Sequence, residues 1–365
     1  MADADPTPAE PSRKIRVALL FGGRSGEHAI SAATAAGVMK AIDREKYDVL
    51  PVGITREGQW VLAGGDASRY ELAAGHLPEV TSETGTAVAG LGEIGHVDVV
   101  FPLLHGPFGE DGTIQGLLEL ADVRYVGCGV LASAVGMDKH YMKLVFAGHG
   151  LPVGPYVVVQ PRAWEQGQAE VVRRISDELA FPVFVKPARA GSSLGVTRVD
   201  DVSGLAEAIE AARFHDPKVL VEQGIEGREI ECAVLGGRGG AAPRASVPGE
   251  IVVDHGAADF YDFEAKYLSD TQARTDAPAD LPADVAARIR DLAVRAFEAI
   301  GGEGLSRVDV FVTPEGEVVV NEINTMPGFT PISMYPKMWE ATGLTYPELI
   351  DELIQLALER PTGLR

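Results

Sequence analysis

The chain is short of cysteine, basic charge and long apolar runs, and each shortage removes a class of protein. Cys128 and Cys232 are the only cysteines in 365 residues. They stand far apart in apolar surroundings, which reads as two buried thiols in a reducing compartment, not as a disulfide or metal framework. Apolar stretches such as Val97 to Leu104 are far below the ~20 residues needed to span a bilayer. Lys and Arg number 32 against 53 Asp and Glu, giving a net charge of -21 near neutral pH. That sign argues against a long nucleic acid, whose phosphates require a basic face. It still permits a nucleotide, for which one or two placed lysines suffice. Residues 1–13 are rich in Ala, Asp, Pro and Glu, without the apolar segment of a signal peptide, and read as a disordered, solvated tail.

What remains is a folded chain, 46% hydrophobic, of a length that suits two or three domains. Ile15 to Phe21 reads as a strand, Gly22 to His28 as a glycine-rich turn, and Ala29 to Ile42 as a helix of small residues. Strands follow at Tyr47 to Ile54 and Val97 to Leu103, an order that implies a parallel sheet with helices on its faces. The residues between, Gly64 to Gly95, read as hairpins and loops. A second block carries helices at Lys139 to Gly148, Ala163 to Leu179 and Val202 to Arg213. Its strands, Tyr156 to Gln160, Val183 to Val185, Gly195 to Val199 and Lys218 to Glu222, read as antiparallel. A third has a polar loop (Asp254 to Thr275), a helix from Pro282 to Ile300, a hairpin (Arg307 to Asn324) and a capping box at Thr345 to Glu348. The expected domains are residues 14–128, 129–222 and 223–365.

The hairpin is the most informative piece. With a two-residue turn at Glu315-Gly316, Asp309 lies opposite Glu322, and alternation puts Arg307, Asp309, Glu322 and Asn324 on one face. Carboxylates about 5 Å apart repel by about 3 kcal/mol at an effective dielectric of 20. Either the pair sits at a solvated hairpin end, with Arg307 matched to one acid, or Asp309, Glu322 and the Asn324 amide oxygen hold a hard cation such as Mg²⁺. An odd-length turn would shift the register and separate the acids.

A second pattern is Lys186 at the end of an apolar strand, followed by Ala190-Gly191-Ser192-Ser193-Leu194-Gly195. This is a Gly-Ser hairpin turn or, with Lys139, a cradle for phosphates. The segment Leu220 to Glu229 is an acidic linker or a hinge offering backbone groups to a base and a carboxylate to a ribose. His140, His149, His215 and His255 lack metal-ligand spacing, and His76 and His96 lie in a loop-rich segment.

Taken together, several motifs resemble the D-alanine–D-alanine ligases. They are Gly22-Gly23-x-Ser25-x-Glu27-His28, Leu104 to Gly112, Val185-Lys186-Pro187 with Gly191-Ser192-Ser193, Phe260 to Tyr267, and Asn321 to Gly328. They run in the family's order from about Lys14 to Arg360. The resemblance implies an α/β ATP-grasp fold of three domains: a parallel-sheet substrate domain, a small antiparallel-sheet domain and a C-terminal domain with a mixed sheet. It implies ATP as co-substrate, with two Mg²⁺ or Mn²⁺ ions held by Asp309, Glu322 and Asn324. Lys139 and Lys186 would contact phosphates under the loop of Ser192. Glu222, Gln223 and Ile225 would meet adenine, with Glu229 on the ribose. The chain departs from many relatives at Gly224, where they carry an aromatic.

By the same resemblance, Glu27 and His105 would bind the first D-alanine, and Ser333 and Met334 the carboxylate of the second. Arg307 and the Gly328 amide would stabilise the tetrahedral oxyanion. Phe260, Lys266 and Tyr267 would belong to a lid, with Phe260 and Lys266 on ATP and Tyr267 bonded to Ser192 and Glu27. The tyrosine favours a dipeptide over a D-alanyl-D-lactate ester. The implied protein is a cytoplasmic homodimer serving peptidoglycan synthesis, with no nucleic-acid or membrane partner. An ester-forming ligase and a catalytically silent nucleotide-binding regulator are the competing readings.

Overall fold

A computed structural model of the chain describes residues 13–72, 77–253 and 273–363. The first sheet contains β1 (Ile15–Gly22), β2 (Tyr47–Ile54), β3 (Trp60–Ala63), β4 (Gly85–Val88) and β5 (Val99–Pro102), in the order β4-β3-β2-β1-β5. β1 pairs in parallel with β2 and β5, while β3 and β4 extend the edge as an antiparallel hairpin. Helix α1 (His28–Ala41) packs on β1, and its small residues let it lie close: nearly every position from His28 to Met39 is buried. The intervening turn needs Gly22, whose φ is +88° and where a Cβ would meet the Ile54 carbonyl oxygen at 2.4 Å.

Helices α2 (Thr113–Leu120), α3 (Val130–Met137) and α4 (Lys139–Gly148) lead to the second sheet. That sheet has β6 (Tyr156–Val159), β7 (Val183–Pro187), β8 (Thr197–Val199) and β9 (Val219–Gln223) in the order β6-β9-β7-β8, antiparallel throughout. Two helices replace the single one expected from Ala163 to Leu179. Gly167, a poor helix former, interrupts it at ψ 71°, leaving α5 (Pro161–Gln166) and α6 (Gln168–Glu178). With α7 (Leu205–Arg213), these cover a core drawn wholly from residues 157–221, around Trp164, Ile175, Val183 and Ile209.

The third sheet runs β13-β12-β10-β14-β15, with β11 (Arg244–Ala245) paired to β10 (Arg228–Leu235). The remaining strands are β12 (Gly249–Val253), β13 (Ala273–Asp276), β14 (Leu305–Val312) and β15 (Val318–Asn324). Among the described residues its ladders are all antiparallel, and the parallel element is an isolated bridge between Val153 and Val320. Helix α8 (Ala283–Ala299), within the expected Pro282 to Ile300, buries Val285, Ile289, Leu292, Ala293, Ala296 and Phe297 on one stripe. α3 and α4 lie in the expected second domain, yet Ala132, Met142 and Phe146 pack into the core under the third sheet. Helices α9 (Met334–Thr342) and α10 (Tyr346–Glu359) return to the first sheet, where Trp339, Leu349 and Leu353 share a core with Val17, Phe21 and Phe101.

The hairpin register holds a correction. The turn is not two residues long: Val312 pairs with Val318, so five residues separate the strands. This odd loop would set Asn321 opposite Asp309. A bulge between Asp309 and Val310 absorbs one residue of β15, and Asp309 faces Glu322 after all. The bulge also resets the alternation: Val318, Val320 and Ile323 are buried, while Asn321, Glu322 and Asn324 line a cavity.

Candidate active site

That cavity, about 470 Å³, lies where the three sheets meet. Every expected site residue among the described ones lines it: Glu27, His105, Lys139, Lys186, Ser192, Glu222, Gln223, Ile225, Glu229, Arg307, Asp309, Glu322, Asn324, Gly328, Ser333 and Met334. Phe260, Lys266 and Tyr267 lie outside the described residues. The lining interleaves both signs of charge, with Lys139, Lys143, Lys186, Arg198 and Arg307 set among a larger number of carboxylates.

One wall comes from β14 and β15. Arg307 donates to both oxygens of Asp309 at 2.7 Å, and its Nε lies 3.3 Å from Glu231 on β10. Glu231 pairs directly with Asp309 across the β10–β14 ladder. Asn324 Nδ2 donates to Asp309 at 3.0 Å. Glu322 lies 3.7 Å from the ammonium of Lys139, which also donates to the Ala190 carbonyl at 2.7 Å. Two opposed carboxylates and an amide, all with oxygen donors, suit a hard divalent cation that takes its other ligands from phosphate and water. No cluster of three His, Cys, Asp or Glu with metal geometry occurs among the described residues. A metal here would therefore draw on the Asn324 amide oxygen beside the carboxylates of Asp309 and Glu322.

The opposite wall is the second sheet. Glu222 on β9 sits between Lys186 of β7 and Lys143 of α4, whose Nζ is 2.7 Å from Glu222 Oε1. Burial alone would raise the Glu222 pKa, but the two ammonium groups outweigh it and bring it down to about 2. For Lys186 burial works against the charge, and Glu222 reverses it, so its pKa rises. The Gln223 amide oxygen is taken by the Ala180 N–H at 3.0 Å. The departure at Gly224 has a local cause: its N–H donates to the Pro182 carbonyl at 2.8 Å, and a Cβ there would meet that same oxygen at 2.8 Å.

The first domain supplies the floor. Glu27 opens α1 and accepts a short hydrogen bond from Ser192 Oγ, joining this domain to the glycine-serine loop. Ser192 and Ser193 hold φ of 50° and 56°, a left-handed conformation that L-residues rarely adopt. His105 Nδ1 lies 3.0 Å from the Met326 carbonyl, which can only accept. Its proton is therefore on Nδ1, and Nε2 accepts from Thr34 at 3.3 Å. Burial lowers the His105 pKa, favouring this neutral ring. Glu110 accepts N–H bonds from Gly106 (2.6 Å) and Met326 (3.2 Å), and burial together with nearby Glu27 raises its pKa to about 8. Ser333 starts α9 and accepts from the Thr330 N–H at 3.1 Å.

Sequence reasoning missed Lys143, Glu231 and a role for Glu110. Lys143 carried a usable signal, since it follows Lys139 by one helical turn and shares its face. Glu231 carried none, because its partner Arg307 is distant in sequence; Glu110 lay inside the Leu104 to Gly112 motif, but its bond to the Met326 N–H was not legible there.

Three α/β units closing on a cavity of opposed acids and lysines define an ATP-grasp protein. Residues 16–128 match the family model described as D-ala D-ala ligase N-terminus, and residues 145–355 match D-ala D-ala ligase C-terminus. The D-alanine–D-alanine ligase of Pseudarthrobacter chlorophenolicus is 61% identical, over the whole of both chains. That of Paenarthrobacter aurescens is 62% identical over 96% of this chain and 97% of its own. The D-alanine–D-alanine ligase structure from Coxiella burnetii superposes with a TM-score of 0.78 at 36% identity, covering 95% of this chain and 94% of that one. The VanG D-Ala:D-Ser ligase of Enterococcus faecalis gives 0.79 at 36%, covering 94% and 100%. The chain belongs to the D-alanine–D-alanine ligase family.

Proposed function

We propose that the protein joins two D-alanines, with hydrolysis of ATP to ADP and phosphate, supplying the terminal dipeptide of a peptidoglycan precursor in the cytoplasm. The observation that carries this reading is the convergence of Glu27 at the start of α1, Lys186 on the second sheet, and Arg307 with the Asp309–Glu322 pair on the third, on one cavity.

A carboxylate is a poor electrophile because oxide would have to leave. The first D-alanine, its ammonium on Glu27 with His105 beside it, therefore attacks the γ-phosphorus through a carboxylate oxygen. The bond from phosphorus to the ADP oxygen breaks, leaving an acyl phosphate. Lys139 and Lys186 hold the phosphates, Ser192 stands in the loop above them, and Asp309, Glu322 and Asn324 would hold Mg²⁺ or Mn²⁺. When bound, the cations would neutralise phosphate charge during transfer. Glu222 and the backbone at Gln223 and Ile225 face the base, and Glu229, exposed at the cavity lip, meets the ribose.

The second D-alanine, its carboxylate on Ser333 and Met334, attacks the acyl carbon through its free amine. Arg307 and the Gly328 amide stabilise the oxyanion, the carbon–oxygen bond to phosphate breaks, and the nitrogen loses a proton. By the resemblance, Phe260, Lys266 and Tyr267, which lie outside the described residues, would serve to keep water from the acyl phosphate.

Phosphate release that requires D-alanine, ATP and Mg²⁺ together is the expected result, with D-alanyl-D-alanine as product. Offering D-lactate or D-serine beside D-alanine at neutral pH tests the second site. A predominant mixed product would replace the dipeptide reading, and nucleotide binding without any turnover would favour a regulator.

A further inference from the structure

Lys143 belongs to no step above, yet it is 3% exposed and its charge faces the cavity. It lies one turn after Lys139 on α4, so the helix presents two ammonium groups to the site at different depths. Lys139 reaches the Ala190 carbonyl and Glu322, while Lys143 reaches Glu222 and lies 5.8 Å from the Tyr156 ring centre. Glu222 thus has two cations where one would neutralise it.

The surplus has a consequence once a triphosphate enters. Lys186 is the cation drawn to phosphate in the reading given above, and this inference rests on that reading. Its departure from Glu222 would leave a buried carboxylate uncompensated unless another cation stays. Lys143 stays. It is ion-paired to Glu222 Oε1, an oxygen shut off from solvent, so the oxygen left open to a ligand is Oε2, the one Lys186 vacates. An ionised carboxylate only accepts hydrogen bonds. It therefore welcomes an exocyclic amino group and repels a carbonyl oxygen at the same position.

We propose that Lys143 is a positioning residue for nucleotide selection: it holds Glu222 as a fixed, ionised acceptor that admits a 6-aminopurine and rejects a 6-oxopurine. The low pKa of Glu222 agrees with this arrangement. A purely structural lysine would stabilise the second sheet without distinguishing one base from another.

The test is calorimetric binding of ATP and of inosine triphosphate, which carries a 6-oxo group, with Mg²⁺ and without D-alanine. Wild type, Lys143→Met and Glu222→Gln are compared. Wild type prefers ATP, and Glu222→Gln loses that preference. Lys143→Met lowers the ratio of ATP to inosine triphosphate affinity about tenfold, the worth of one charge-assisted hydrogen bond. It also moves the acid limb of ATP binding to higher pH, because Glu222 loses a cation that favoured its ionised form. Adding Lys143→Met to Glu222→Gln costs no further selectivity. If Lys143→Met does not fold, Lys143→Gln takes its place under the same criterion.

An unchanged ratio in the Lys143 variant, or equal weakening of both nucleotides, overturns the proposal. Where Glu222→Gln still abolishes the preference, the assignment of Glu222 to the base survives that failure. Where Glu222→Gln leaves the preference intact, both ideas fall.

Discussion

Single side chains in this cavity act through shared charges, so replacing one changes its neighbours. Glu322 faces Asp309 across the hairpin and lies 30% exposed beside Lys139. Glu322→Gln keeps the shape, removes one ligand charge and leaves the apolar core untouched. The expected outcome is loss of metal-dependent turnover, with a thermal midpoint within a few degrees of wild type; unchanged activity at limiting Mg²⁺ would refute the ligand assignment. Glu110 makes a different prediction. The group is held protonated up to about 8, against an ordinary value of 4.5, by burial and by Glu27, with Arg307 and its two N–H donors acting the other way. The folded state then binds a proton that the unfolded chain has lost, so this group's contribution to stability falls as pH rises from about 4.5 to about 8. Glu110→Gln removes that slope. Urea midpoints at pH 5 and pH 8 should shift in the variant's favour at the higher pH, and an identical gap at both would show Glu110 ionised throughout. Residues in a contiguous motif, such as Lys186 to Ser193, were legible because their chemistry is local. Glu231 and the long-range half of Glu110's contacts were not, because Arg307 and Met326 lie 76 and 216 positions away.

Among the elements, the β14–β15 hairpin shows how a correct pairing can be reached through an incorrect turn. Alternation and an assumed two-residue loop give Asp309 opposite Glu322; the molecule reaches the same pair with a five-residue loop and a bulge. Asn321, the residue the bulge absorbs, is of a type depleted in strands, but one such residue does not by itself announce a bulge. Helix ends were easier to read. Thr345 and Glu348 form the capping box their spacing suggested, with Glu348 accepting from both the Thr345 N–H (2.9 Å) and hydroxyl (2.6 Å). Glu348→Ala should cost about 1 kcal/mol, because it returns an orphan N–H to the start of α10. A chemical-denaturation midpoint unaffected by this change would mean that Pro347 and the buried face alone fix the helix start.

At the scale of the whole molecule, the cores do not follow the order of the chain. Leu349, Ile350, Leu353 and Ile354 of α10 sit in one cluster with Val17, Phe21 and Phe101 of the first sheet and Leu305 of the third. Nothing in a linear reading joins residues 15–102 to residues 334–359, since an amphipathic helix records that it has a buried face but not which sheet covers it. The second sheet, by contrast, closes its core within residues 157–221. The chain should therefore behave as two cooperative units, the first and third domains together and the second alone. Leu353→Ala and Ile175→Ala each remove a fully buried side chain, at a cost of about 2–5 kcal/mol. Native-state hydrogen exchange separates their effects. Leu353→Ala should speed exchange in both β1 and β14 and leave β7 and β9 unchanged, while Ile175→Ala should do the reverse. Uniform acceleration in either variant would mean that the cavity walls unfold together, and the second sheet could not then move as a body over a bound nucleotide.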